Sequence, residues 1–192
     1  MNLPLRPDIL AAAAGGVVLA LGGVAAFVWR ARAARRVLGD TLAKVASDVL
    51  RDVTVPDGAG GGFHIDFLLR SAEGIVIVDL RQVAGAVFAG EHLVEWTVMG
   101  KAGRSTFPNP LGPLYDRIAA VNALIGASAP VIGRIVFNDG ADFRTALPAH
   151  TLRLSDLPAS LPPAGEAGDA HAQAWASLVA SCVPSPPALR RR

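Results

Sequence analysis

"HIDFLLRSAEGIVIVDLR", His64 to Arg81, is the stretch on which the reading of this 192-residue chain turns. Two runs of strand-forming residues flank Ala72-Glu73, the pattern of a β-hairpin. Each run carries one aspartate, Asp66 and Asp79, although an unpaired charge in a buried strand is costly. With the turn centred between Ala72 and Glu73, Asp66 stands across from Asp79, His64 from Arg81 and Leu68 from Ile77. Alternation along the strands then puts Ile65, Phe67, Leu69, Val76, Val78 and Leu80 on one face, which is the expected core.

The opposite face gathers His64, Asp66, Asp79 and Arg81. Directly opposed residues have Cβ atoms about 4.5–5.5 Å apart, and like charges at that distance destabilise a sheet unless something positive lies between them. A divalent cation of the magnesium class prefers carboxylate oxygens and would make the pair a metal site. Arg81, two residues beyond Asp79 on the same face, would neutralise it without metal. Both readings stand open at this point.

Before the hairpin, "VLGDTLAKVASDVL" repeats Leu38, Leu42, Val45 and Val49 at helical spacing, which predicts an amphipathic helix from Val37 to Leu50, broken by "PDGAGGG". After the hairpin, "QVAGAVFAGEHLVEWTV" reads as another strand or two with glycines at the turns. "FPNPLGP" leads into a second helix with Leu114, Ile118, Val121 and Ile125 on one stripe. "PVIGRIVFND" reads as a buried strand and "HTLRLSDL" as a short one near the edge. The expected architecture is an α/β fold with a mixed sheet, in the order α-β-β-β-α-β-β, forming a domain over residues 30–158. Residues 159–192, rich in Pro and Ala and ending in Arg190, Arg191 and Arg192, read as a loosely attached tail with one short helical stretch around Gln173 to Val179.

The apolar share of 52% has a local origin. After a short N-terminus of residues 1–8, the segment from Ile9 to Trp29 contains no charge and matches the roughly 20 residues that cross a bilayer. A cleaved signal peptide fits less well, because its positive charge would precede the apolar run. Arg30, Arg32, Arg35 and Arg36 follow the segment, so the expectation is a single-pass anchor in the cytoplasmic membrane with the domain in the cytosol. The net charge of +2 is small, and much of the basic excess sits in the post-span and C-terminal clusters, so charge alone does not argue for nucleic acid. A lone cysteine, Cys182, excludes an internal disulfide.

The "HIDF" strand, the hairpin ending in acid-any-basic at Asp79-Leu80-Arg81, "AGAVFAG", Trp96 and "FPNPL" before a helix together resemble the NERD domain, the nuclease-related domain of the PD-(D/E)xK superfamily. The resemblance runs from about Gly39 to Phe137. It implies a restriction-endonuclease-like core and metal-dependent phosphodiester hydrolysis on DNA or RNA, using Mg2+ or Mn2+. It implies Asp66 as the strand acid, Asp79 and Arg81 in the triplet, and Asp40 in "LGD" as the helix acid, with Asp66, Asp79 and Asp40 as metal ligands. Two departures bear on activity. The superfamily lysine is Arg81, and the glutamine expected soon after "NPL" falls at Pro113. Arginine does not give up its proton near neutral pH, so it supplies only electrostatic help. The alternative is therefore a catalytically inactive nuclease-fold domain that binds nucleic acid or a protein partner at the membrane.

Asp40 also falls opposite the apolar stripe of its helix, where a solvated N-terminal acid is the simpler account. His64 reads as a solvent-facing strand residue and Trp96 as a packed anchor. Gly58 to Gly62 form no phosphate loop, since no Gly-Lys-Ser or Gly-Lys-Thr follows.

Overall fold

The computed structural model describes residues 35–161 and 171–185, together with Trp29, Ala33 and Asp169. The apolar segment from Ile9 to Trp29, Trp29 excepted, lies outside the described residues; among those described, no helix is long and apolar enough to cross a membrane. From Leu38 onward the chain forms one compact unit.

The first helix, α1, covers residues 35–45 and ends five residues before the expected Leu50. There the chain turns into a strand, β1 (Asp48–Pro56), and the Ser47 amide donates to the Arg70 carbonyl. "DVLRDVTVP" is rich in β-branched residues, and pairing with the next strand overrides the helical spacing of Val49. Asp57 closes the following turn, its Oδ1 accepting from the amides of Ala59 and Gly61. The hairpin follows as β2 (Gly62–Ser71) and β3 (Gly74–Arg81), in the register read from the sequence, from Phe67 opposite Val78 to Ser71 opposite Gly74.

Next come β4 (Gly85–Phe88), β5 (Glu95–Gly100) and β6 (Gly103–Pro108), then α2 (Leu111–Ile125), β7 (Val131–Phe137), β8 (Ala141–Phe143) and β9 (Thr151–Arg153). A 3-10 helix (Leu154–Ser160), α3 (Ala172–Ser181) and β10 (Val183–Pro184) complete the described chain. The order therefore holds more strands than the expected α-β-β-β-α-β-β: the stretch after the hairpin supplies both β4 and β5, and β1, β6, β8 and β10 are not among the strands read from the sequence. They form a six-stranded mixed sheet, β10-β1-β2-β3-β7-β9, and a four-stranded sheet, β6-β5-β4-β8. β3 and β7 run parallel, so the sheet is antiparallel only on its β1–β3 side.

Both faces of the large sheet are covered. Leu38, Leu42 and Val45 of α1 pack with Phe67, Leu69, Val76, Val78 and Leu80. Leu114, Val121 and Ile125 of α2 pack with Leu68, Ile75, Ile77 and Ile135. Two points of the sequence reading change as a result. The face carrying the acids is roofed by α2, and Ile65 joins the α2-side cluster with Leu68 instead of following Phe67. The roofing follows from the parallel β3–β7 pair, which places β3 inside the sheet with helices on both sides. Trp96 is fully buried and stacks on Phe137 at 6.0 Å, tying the small sheet to the large one.

The segment after Pro158 is not loosely attached throughout. Ala174 and Leu178 of α3 are buried in the α2-side core, and β10 adds an antiparallel rung to β1. α3 takes up the short helical stretch that the sequence shows around Gln173 to Val179, and its buried face is Ala174 and Leu178.

Gly74 closes the hairpin with φ 138°, and a Cβ there would collide with the Pro130 carbonyl, which accepts the Ile75 amide at 2.8 Å. Gly58 also has positive φ but open space around it. Left-handed backbone of this kind costs a side chain about 1–3 kcal/mol. Gly74→Ala is therefore expected to lose that amount and the β3–β7 start besides, and Gly58→Ala only the backbone part. Urea denaturation of the two variants measures this; equal losses would show that the approach of Pro130 carries no weight.

Candidate metal centre

Three neighbouring strands each bring an aspartate to the same level of the sheet. β1 pairs β2 on both sides of the Asp52 and Asp66 level, through Arg51 with Phe67 and Val53 with Ile65. Asp52 itself has φ 51°, a left-handed conformation that aspartate tolerates better than most residues, and it interrupts the ladder there. On the other side the β2–β3 ladder stops at Phe67 and Val78. Beyond it the Asp66 carboxylate takes over, its Oδ2 accepting the Leu80 amide at 2.9 Å. Asp66 and Asp79 are both buried.

Different groups lie against the two acids of the hairpin. Asp79 Oδ2 accepts from Arg81 at 2.7 Å and from Arg117 of α2 at 3.4 Å. Arg117 is fixed in turn, its Nε donating to the His64 carbonyl at 2.6 Å. Asp66 Oδ1 instead faces His64 Nε2 at 3.3 Å, and Asp52 Oδ1 lies 3.9 Å from the same nitrogen. One donor atom each from Asp52, His64 and Asp66 falls within 4.8 Å of the others. Two carboxylates and an imidazole so converged are a donor set for a divalent cation, and the residues present fit one.

Burial pushes the Asp79 carboxyl above its ordinary value, against the pull of Arg81 and Arg117, and the neighbouring Asp66, which also hydrogen-bonds it, adds to the rise. The arginines therefore do not fully offset the cost of burying this carboxylate.

The structure places the residues singled out in the sequence as follows. Asp66, Asp79 and Arg81 come together, Asp79 and Arg81 as an ion pair. Asp40 does not join them. It is exposed on α1, whose buried residues belong to the cluster on the other face of the sheet. His64 is not the solvent-facing residue expected; its side chain is 13% exposed and sits in the cluster. Asp52, Arg117 and Ser185 escaped the sequence reading. The alternation of Val53 and Val55 in "DVTVP" signals the strand that carries Asp52, and Arg117 flanks the buried stripe of α2 one turn after Leu114. Nothing local marks Ser185.

The mixed α/β architecture with two sheets fits a nuclease-like core, and Asp52, His64 and Asp66 form a cluster that could hold a divalent cation. The nuclease-related domain, NERD, matches residues 30–138, more than half of the chain, and the chain belongs to this family. An uncharacterized protein of Bacillus anthracis is 26% identical over 136 residues, covering 67% of this chain; the chain spans about 64% of that relative's length. No solved structure matches. The family's Asn-Pro-Leu motif has a visible purpose here. Asn109 Nδ2 donates to the carbonyls of Glu91 and Leu93, and its Oδ1 accepts the Leu111 amide, so one side chain fastens the β4–β5 connection to the start of α2.

The raised Asp79 value has a pH consequence in metal-free protein. A carboxyl whose folded value lies above its ordinary 3.8 contributes stability that is present below 3.8 and is lost as pH rises through the folded value. Urea denaturation in EDTA at stepped acidic pH is expected to show wild-type protein losing stability over that window relative to Asp79→Asn. A constant gap between the two would show that the Asp79 carboxyl is not strained.

Proposed function

We propose that this domain is a metal-dependent phosphodiesterase acting on DNA or RNA, and that it works at the cytosolic face of the cytoplasmic membrane. The observation that carries the reading is the convergence of Asp52, His64 and Asp66 one strand away from Asp79 and Arg81. Asp52, His64 and Asp66 would hold the ion, Mg2+ or Mn2+. A divalent cation in such a site supplies Lewis-acid polarisation of a phosphoryl oxygen and a nucleophile at neutral pH.

The chain's own residues supply the rest. Asp79 lies beside Asp66 and pairs with both Arg81 and Arg117. Arg81 keeps its charge at all relevant pH and stabilises charge developing on phosphate oxygens, but it accepts no proton, which sets a slow rate. Arg117 holds both Asp79 and the His64 backbone, so it fixes β2 and β3 relative to α2. A mainly apolar groove lined by Gln82, Val98, Met99 and Phe107 also carries Lys101 and Arg104, two cations of the kind that contact a phosphodiester backbone. The anchor rests on the uncharged segment from Ile9 to Trp29 and the four arginines after it.

A second reading is favoured by the ion pairs themselves. Arg81 already spends its charge on Asp79, and the lysine of active relatives in the superfamily is missing, which suits a silent domain that binds nucleic acid or a protein partner. Full-length chain purified in detergent and assayed on DNA and RNA separates the two. Cleavage is expected with Mg2+ or Mn2+ and not in EDTA; Asp66→Ala and Asp79→Ala should abolish it and Arg81→Lys should raise it. No cleavage by wild type or Arg81→Lys with either ion, alongside retained nucleic-acid binding, would select the silent domain. For the anchor, protease added to spheroplasts should spare the region after Arg36; digestion from outside would overturn the orientation.

A further inference from the structure

The segment after the family-matched residues 30–138 reaches back into the site. β10 pairs with β1 through Val53 with Pro184 and Thr54 with Val183, and the next amide, Ser185, donates to the Asp52 carbonyl at 2.8 Å. This brings the Ser185 hydroxyl, in a residue only 3% exposed, to 2.7 Å from His64 Nδ1 and 2.8 Å from the Thr54 hydroxyl. With Nδ1 held at Ser185, the other ring nitrogen is aimed at Asp66 and Asp52.

We propose that Ser185 is a positioning residue that holds the His64 imidazole as a nitrogen ligand, and that this nitrogen makes the site select a first-row transition cation such as Mn2+ over Mg2+. The inference rests on the metal-dependent reading above and narrows its ion. An imidazole binds metal through a nitrogen that carries no proton, so Nδ1 must keep the hydrogen when Nε2 is the ligand. Ser185 can accept that hydrogen and pass its own to Thr54, because a hydroxyl serves as donor and acceptor at once. Without metal the same hydroxyl can donate to Nδ1 while Nε2–H donates to Asp66, so the ring keeps one orientation in both states. Magnesium favours oxygen ligands and gives up water reluctantly, whereas transition cations accept imidazole readily. The discriminating atom is therefore His64 Nε2, and its aim is set by a strand that the family match does not include.

Calorimetric titration of EDTA-stripped, full-length chain in detergent tests this with Mn2+ and Mg2+ separately. Wild type is expected to bind Mn2+ more tightly than Mg2+ by at least tenfold. His64→Gln should remove most of that preference, and Ser185→Ala should weaken Mn2+ binding by about 10–100-fold, the usual effect of losing a residue that orients a ligand, with Mg2+ little changed. In the His64→Gln background, Ser185→Ala should cause no further loss of Mn2+ affinity, although any cost to folding would persist; thermal melts in EDTA measure that cost separately. Equal binding of the two ions, or Mn2+ affinity unchanged in Ser185→Ala, overturns this inference and leaves a Mg2+-dependent site standing. Binding of neither ion by wild type overturns both.

Discussion

Three carboxylates on adjacent strands, Asp52, Asp66 and Asp79, impose the constraint around which the site is arranged. Neighbouring strands lie about 4.8 Å apart, and negative charges at that spacing inside a sheet with both faces covered repel strongly. The fold answers by surrounding the acids with protic and positive groups. Asp79 takes two guanidinium groups, Asp66 takes the Leu80 amide and faces His64, and Asp52 adopts a left-handed backbone that breaks the ladder. Positive or protic groups are thus supplied from β2, β3, α2 and, through Ser185, the strand end after α3.

Compensation remains incomplete at the centre, as the raised Asp79 value shows. The two arginines and the acid-histidine group also divide the site into a basic half and an acidic half. Stability comes from elsewhere: from the apolar layers under α1 and α2, and from Trp96 and Phe137 joining the two sheets.

The dependence of the site on the C-terminal strand alters how the domain is bounded. Residues 30–138 carry the family match, yet α3 packs into the core on the α2 side and β10 borders the strand that holds Asp52. The Asn109 side chain does related work within the matched region, by holding the β4–β5 connection against the start of the helix that carries Arg117. Both are cases of a residue far along the chain fixing the placement of a site group it does not itself resemble chemically.

The sequence by itself determined the hairpin, its turn and its register, the second helix, the buried strand after it, and the neighbourhood of Asp66, Asp79 and Arg81. These follow from alternation, helical spacing and turn residues, which act over a few positions. It misled where one pattern overlapped another, as when Val49 continued the spacing of α1 but paired in β1, and where a face that looked half polar was roofed by α2. Only the tertiary structure decided which partner each aspartate received, that Asp40 stands apart while His64 stands inside, and that Asp52, Arg117 and Ser185 belong with them. Those choices depend on strand order and on which helix covers which face, contacts between segments far apart in the chain whose closure cost is met by burial of the whole core and leaves no local periodicity to read.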